Sequence, residues 1–268
     1  MPEGLDKLAG AIGDTLKTAP TIYEDALQPT IQEVGKFAAR IPRAINAAFS
    51  GLDKWILNKE YAIDEIKKLL EQKLENVDPK KIVEPEAYVA IPAIQAISYS
   101  MDSEELRNLY ANLLAKAMNS DTKDFVHPSF VEIIKQLSPI DSLVFKSIME
   151  RQANPIIDIV YEKREEGHIF PIATKTFATN ISDIDIAPVE IVRVSIDNLI
   201  KQGLISIPIG QSYSEKELYN NILSSQFYLE QQKKYPSIPD GFVFSHTKKM
   251  IKNTNLGKVF YNICVIDL

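Results

Sequence analysis

Apolar side chains recur every three or four residues through most of the first 150 positions of the chain. This spacing places them on one face of an α-helix, because a helix completes a turn in about 3.6 residues. The pattern predicts helices over 35–52 and 60–74. The most regular stripe lies within 102–119 and includes Leu106, Leu109 and Leu113. A mainly helical first part is therefore expected.

Capping signals mark where several of these helices begin. Asp102 precedes Glu105 by three positions, the spacing of a capping box. Pro85, Pro128 and Pro139 each stand where a helix opens, and proline suits the first turn because the backbone N–H there has no helical partner. We predict a helical bundle of about six helices over 35–152. The residues before it, 1–34, are predicted to be a flexible or partly helical tail, since glycines and prolines interrupt their periodicity.

The pattern changes after Asn154, where β-branched runs become frequent. The elements predicted beyond it are a short strand at 169–174, a helix at 188–202 closed by Gly203, a strand at 204–209, an extended segment at 242–254 and a closing helix at 256–265. This order is typical of a winged-helix module, with a helical insertion at about 211–236. The predicted fold is mainly α: the helical bundle, then a smaller winged-helix-like α+β domain over 153–268.

Composition narrows the setting in which the protein works. The chain has 268 residues, one cysteine and a net charge of −6. A single cysteine allows no disulfide within the chain, which suits a reducing compartment. The longest uncharged stretch, 87–101, is shorter than the roughly 20 apolar residues of a bilayer span. We expect a cytoplasmic protein, with the periphery of the inner membrane as an alternative.

Three groups of side chains have the composition of a catalytic or metal site without its spacing. His127 precedes a proline at a helix start, where a histidine more often caps the helix or packs against it. The segment 165–168 holds two glutamates and a histidine, but Gly167 breaks the helix that would align them. Asp183 and Asp185 lack a third carboxylate. We therefore predict no catalytic residue, metal ligand or cofactor site, and no enzyme.

Two basic segments suggest other partners. The segment 241–262 contains four lysines and no acidic residue, which makes it the best candidate for binding nucleic acid or a partner. The candidate residues are Lys248, Lys249, Lys252 and Lys258. Against a DNA-binding regulator, the would-be recognition helix carries Glu190 and Asp197, which repel phosphates.

The second basic segment lies on the amphipathic helix within 35–55. Lys36, Arg40 and Arg43 form a stripe beside its apolar face and are candidates for contact with an anionic membrane surface. The alternative is an ordinary bundle helix with a solvated face. A peripheral membrane effector therefore stays open beside the nucleic-acid hypothesis.

Longer runs of the sequence resemble a known family. They are the run 84–96, the helix 102–119 with its Glu-Leu-Arg-Asn-Leu-Tyr-Ala-Asn-Leu-Leu-Ala segment, the stretch 127–141 (His-Pro-Ser-Phe-Val-Glu-Ile-Ile-Lys-Gln-Leu-Ser-Pro-Ile-Asp), and the segments 199–205 and 256–260. Together they resemble the abortive infection alpha family of bacterial phage-defence proteins over roughly 80–268. The family brings no catalytic residues. The motif residues taken as structural are Arg107, Asn112, His127, Pro128, Ser138, Pro139, Asp141, Gly203 and Gly257.

The resemblance implies a role in phage defence, in which the infected cell dies or becomes dormant before progeny are released. The resulting hypothesis is a non-enzymatic protein that binds a phage or host component, with a protein partner expected. Nucleic acid and the membrane surface are the alternative partners. Asn112 is singled out because a polar side chain inside the most apolar helix must find a hydrogen bond if it is buried.

Overall fold

The computed structural model describes residues 40–49, 60–100, 102–163, 168–171, 177–179, 187–234 and 242–268. Within these ranges the protein is mainly helical and carries a small antiparallel sheet, which confirms the predicted fold class at this level. The tail predicted at 1–34 lies outside the described residues.

Six α-helices occupy the first part of the described chain. They are α1 (Arg40–Phe49), α2 (Glu60–Leu74), α3 (Ala87–Ile97), α4 (Glu104–Ala117), α5 (Ser129–Lys135) and α6 (Pro139–Glu150). Helix α4 contacts α2, α3, α5 and α6. Every residue of α4 from Leu109 to Ala117 is buried. The helix with the most regular apolar stripe is therefore the centre of the bundle.

Two of the predicted helix starts can be compared with the structure. The prediction that Asp102 caps α4 is wrong, because Ser103 is the N-cap and its Oγ accepts a hydrogen bond from the Leu106 N–H at 3.3 Å. The start of α6 is confirmed as a capping box. Ser138 Oγ accepts from the Asp141 N–H at 3.1 Å, and Asp141 Oδ2 accepts from the Ser138 N–H at 2.7 Å.

A nine-residue strand that the sequence analysis missed organises the sheet. Strand β1 (Pro155–Lys163) pairs antiparallel with β2 (His168–Pro171), β3 (Phe177–Thr179) and β5 (Val243–Met250). Since β5 pairs with β1 along 155–162, β2 and β3 share the opposite edge. The charged residues Glu162 and Lys163 lie at the end of this strand.

The remaining described elements follow the predicted order. They are α7 (Val189–Lys201), β4 (Ile205–Ser206), α8 (Asn220–Leu223), α9 (Gln226–Lys234), β6 (Lys252–Asn253) and α10 (Asn255–Phe260), which continues as a π-helical turn over Tyr261–Val265. Strand β4 pairs antiparallel with β6. A 3₁₀ turn, α8 and α9 make the predicted insertion largely helical over 216–234, after a non-helical segment at 211–215.

One hydrophobic core joins helices from both halves of the chain. Leu113, Phe145, Leu199 and Phe260 belong to the same buried cluster. Phe260 meets Phe145 in an edge contact with ring centroids 5.7 Å apart. A smaller cluster that includes Ile157, Ile159, Tyr219 and Tyr228 packs α8 and α9 against the sheet. The division into 35–152 and 153–268 stays a prediction, since α7 and α10 share their core with the bundle.

Candidate functional site

A polar pocket opens where the last residues of the chain pass over α4. Its volume is about 390 Å³, and we call it the C-terminal pocket. Its polar lining includes Lys73 on α2, Glu104, Glu105, Asn108 and Asn112 on α4, Ser142 and Lys146 on α6, and Asp267. Residues more than 190 positions apart therefore meet at one place, as the Lys73–Asp267 pair, separated by 194, shows.

Asn112 ties the C-terminal segment to α4. The side chain is only 3% exposed, and its Nδ2 donates to the carbonyl oxygens of Cys264 at 3.0 Å and Val265 at 3.3 Å. Carbonyls at the end of a helix lack the partner that the next turn would supply. The Asn112 amide takes that place, while its own Oδ1 is buried and has no hydrogen-bond partner among the described residues.

Charge compensation holds Asp267 in the C-terminal pocket. Lys73 Nζ lies 2.7 Å from Asp267 Oδ1, and Lys116 Nζ donates to the Asp267 backbone oxygen at 3.4 Å. The hydrogen bond from Lys73 makes the largest contribution to lowering the pKa of the Asp267 carboxyl below 3.8. The charge of Lys73, the side chain of Asn112 and the charge of Lys116 lower this pKa further, whereas burial raises it. Burial lowers the pKa of Lys116 while the charge of Asp267 opposes it. The exposed Asp267 carboxylate is therefore paired with Lys73, while Lys116 bonds the backbone oxygen of the same residue.

Cys264 is not placed to act as a nucleophile. Its side chain is fully buried, and burial raises the pKa of the thiol well above 9.0 although the charge of Lys116 acts in the opposite direction. A thiol reacts as its thiolate, which this environment disfavours. No group of three or more His, Cys, Asp or Glu side chains in the described ranges is placed to hold a metal ion.

The four lysines of 241–262 do not form one patch. Lys248 and Lys249 are neighbours on β5, so their side chains leave opposite faces of the strand. Lys248 Nζ lies 4.9 Å from the centre of the Tyr219 ring, and Lys249 Nζ pairs with Asp158 Oδ2 at 2.7 Å. Lys252 and Lys258 line a second pocket instead. The structure thus divides the predicted basic segment among three places.

The basic stripe of the first helix is also partly engaged inside the protein. Arg40 Nη1 donates to the carbonyl oxygens of Pro79 at 3.2 Å and Lys80 at 3.4 Å, whereas Arg43 is exposed and Lys36 lies outside the described residues. The apolar face of α1 packs into the core through Ile45. Among the described helices, none combines the length and the apolar character needed to cross a bilayer.

Other motif residues organise helix ends. Pro128 is the N-cap residue of α5, and the His127 side chain also contacts this helix start. His127 Nδ1 accepts a hydrogen bond from the Ser129 N–H at 3.1 Å. Asn198 on α7 donates to Asp141 Oδ2 at 3.0 Å and so joins α7 to the α6 capping box. Arg107 is half-buried on α4. The sequence analysis did not identify Asn198. The signal was the same as for Asn112, because each is a polar amide among apolar residues of an amphipathic helix.

Gly203 and Gly257 are needed for backbone reasons. Gly203, directly after the α7 C-cap, has φ of +73°, a left-handed conformation that glycine adopts without a steric cost. Gly257 lies in α10 where a Cβ would overlap the carbonyl oxygen of Leu204. Helix α10 can therefore approach the β4 segment closely only with glycine at this position.

Comparison with known families matches the sequence profile for abortive infection alpha to residues 58–264, most of the chain. The chain belongs to the abortive infection alpha family. The matched range includes α2 and so begins earlier than the resemblance seen in the sequence alone. It contains Asn112 and Cys264 and ends just before Asp267. Most of the C-terminal pocket is thus built from the part of the chain that the family shares.

Other comparisons add little about function. A solved structure described as an uncharacterized protein from the hydrocarbon-degrading marine bacterium Alcanivorax borkumensis SK2 is 11% identical in sequence. The match covers 55% of this chain and 96% of that chain with a TM-score of 0.35. No curated protein matches the sequence.

Proposed function

We propose that this chain defends bacteria against phage by abortive infection, and that it acts by binding a phage or host protein rather than by catalysis. Membership of the abortive infection alpha family supports the defence role. The observation that carries the binding role is the outward face of α7, where apolar side chains stand in solvent between acidic ones.

The outward face of α7 differs in character from its inward face. Val192, Ile196 and Leu199 are buried in the core, whereas Ile191 is 43% and Val194 is 68% exposed. A contiguous exposed apolar patch with polar residues around it can mark a contact for another molecule. This pair is the centre of the face we propose for the partner.

The charges around this centre favour protein over DNA. Glu190 and Asp197 are exposed on the same stripe as Val194, and carboxylates repel the phosphates of a duplex. Protein interfaces combine an apolar centre with a polar rim of complementary charge. The expected partner surface is therefore apolar with basic side chains around it.

A winged-helix-like arrangement would present α7 in the way this proposal needs. In that module a recognition helix is followed by a glycine turn and a strand pair, and here α7 is followed by Gly203 and by β4, which pairs with β6. The long strand β5 pairs with β1 in the main sheet, whereas β4 pairs with β6 in a separate two-stranded sheet. Modules of this kind also serve protein binding, because a fold does not determine what it binds.

The test is a phage challenge of bacteria that express the full chain. Cells with the wild-type protein should survive at a low phage-to-cell ratio and collapse at a high one. The variant Ile191→Glu/Val194→Glu should lose this protection, since two charges would replace the apolar centre. Both positions are exposed, so the free energy of unfolding should change by only about 0.5 kcal/mol for each.

The control is Tyr88→Glu, which places one charge at an exposed apolar position on α3, where the side chain is 62% exposed. It should protect like the wild type. Absence of protection by the wild-type chain across a broad phage panel would refute the defence role. Full protection by the α7 variant would instead refute the binding face and leave the defence role standing.

A further inference from the structure

A second pocket lies where α6 ends, β1 begins and the β5–β6 corner meets α10. Its volume is about 300 Å³, and we call it the basic pocket. Arg151, Lys252 and Lys258 line it, and none of the described residues in its lining is acidic. Three cations therefore face one small space in a chain whose net charge is −6.

Two asparagines of the lining have buried side-chain carbonyl oxygens. Asn154 lines the basic pocket and is only 3% exposed. Its Nδ2 donates to the Ile148 carbonyl oxygen at 2.9 Å, which fixes the amide, while its Oδ1 has no partner in the part of the chain that the structure describes. Asn253 Oδ1 is likewise buried and has no hydrogen-bond partner among the described residues. Buried carbonyl oxygens of this kind are normally satisfied by protein, water or ligand, so two in one lining offer acceptors to a ligand that donates hydrogen bonds.

Tyr213 adds a donor to the lining. Its hydroxyl oxygen accepts from the Asn154 backbone N–H at 3.0 Å, which leaves the hydroxyl hydrogen for another acceptor. The Tyr213 backbone N–H donates to the Tyr219 hydroxyl at 3.0 Å, and that hydroxyl donates to the Lys249 carbonyl at 2.8 Å. These bonds connect the loop before α8 to β5. The position of the Tyr213 hydroxyl is thus set by the fold.

Lys252 is also held in position. Its Nζ donates to Gln211 Oε1 at 2.7 Å, and the ammonium group keeps two further N–H donors. Lys258 stands on α10, whose place is determined by the close approach of Gly257 to Leu204. The two lysines therefore come from separate elements that are anchored independently.

From these groups we infer that the basic pocket binds a small phosphate monoester whose organic part carries hydroxyl or amino groups. Arg151, Lys252, Lys258 and the Tyr213 hydroxyl provide charge and donors for the phosphate oxygens. Asn154 and Asn253 supply acceptors for the organic part. A volume near 300 Å³ suits a sugar phosphate or a mononucleotide, at the small end of ligand pockets.

The inference is independent of the proposed defence role and is tested on the purified full chain. Isothermal titration calorimetry with ribose 5-phosphate and with adenosine 5′-monophosphate should detect binding of at least one, and ribose should not bind. Binding should be at least about fivefold tighter than that of inorganic phosphate, because the carboxamide oxygens gain hydrogen bonds. The double variant Lys252→Gln/Lys258→Gln should weaken binding by at least about tenfold, since it removes two charge-assisted contacts.

The matched control is Lys123→Gln/Lys146→Gln, which removes the same charge from two exposed lysines away from the basic pocket. It should leave the affinity unchanged. Failure of both monoesters to bind would overturn the inference, as would equal affinities in the two double variants or an affinity no greater than that of inorganic phosphate. Binding of a 5′-phosphorylated oligonucleotide without either monoester would also overturn it and would indicate nucleic acid instead.

Discussion

The C-terminal pocket and the basic pocket share two segments of the chain, yet their charges are arranged in opposite ways. Helix α6 supplies Lys146 to the first, and Arg151, just beyond its end, lines the second. The segment from α10 onward supplies Lys258 to the basic pocket and Asp267 to the C-terminal pocket. In the C-terminal pocket lysines stand beside carboxylates. In the described lining of the basic pocket, all the charged side chains are cationic.

The difference separates a junction from a binding site. Asp267 is matched by Lys73 and Asn112 by two backbone carbonyls, so these contacts hold the chain together without another molecule. The described lining of the basic pocket contains three cationic and no acidic residues, and an anionic ligand would complement that charge. We therefore expect changes in the C-terminal pocket to affect stability and changes at the basic pocket lysines to affect binding.

The largest expected effect comes from the element between the two pockets. Gly257→Ala should lower the free energy of unfolding by about 3 kcal/mol, because the new Cβ would overlap the Leu204 carbonyl oxygen and backbone cannot easily move away. The displacement of α10 should also weaken ligand binding through Lys258. Urea denaturation followed by circular dichroism measures the first effect, and calorimetry measures the second.

Gly210→Ala is the control for backbone conformation alone. Gly210 has φ of +70°, but a Cβ there would meet nothing within 4 Å. The left-handed conformation should reduce stability by about 1 kcal/mol, so the two variants should differ by about 2 kcal/mol. Equal losses would mean that the close approach of α10 to β4 contributes nothing beyond the strain of a turn glycine.

The next effect tests the junction itself. Asn112→Leu keeps a similar volume but removes the donor to Cys264 and Val265, and should lower the free energy of unfolding by about 2 kcal/mol as their buried carbonyls lose a partner. Ligand affinity at the basic pocket should stay unchanged. Asn108→Leu, half-buried on the same helix and in the same pocket, should change stability by less than about 1 kcal/mol. A similar loss in both variants would contradict the role given to Asn112.

The features that the sequence predicts well depend only on residues that are close together in the chain. The bounds of α2 were predicted as 60–74 because helical periodicity is local, and the start of α6 at Pro139 because proline suits the first turn of a helix. Strand β1 was missed for the opposite reason. Ile156 and Ile157 are both buried, on opposite faces of the strand, so the alternation that identifies a half-exposed strand is absent.

The two pockets are formed by residues that are far apart in the sequence, so no local sequence pattern predicts them. Lys73 and Asp267 meet across 194 positions, and nothing near either residue indicates the other. The four lysines of 241–262 were predicted as one patch because they are close in sequence, but strand alternation separates Lys248 from Lys249. Lys252 and Lys258 are brought to Arg151 only by the tertiary fold. Asn112 could be singled out because its own helix already shows that it is buried.

The smallest effect depends on pH. Asp267→Asn should lower the free energy of unfolding at pH 7 by about 0.5 kcal/mol, because the carboxylate is 75% exposed and solvent screens its pair with Lys73. The pKa of Asp267 is lowered below 3.8 in the folded protein, so its contribution is present above about pH 4 and is lost as the pH falls through the folded pKa. Wild type and variant should therefore differ in urea denaturation at pH 7 and converge in acid. A difference that persists below the folded pKa would show that the asparagine acts through packing, and the C-terminal pocket would then be held by Asn112 rather than by charge.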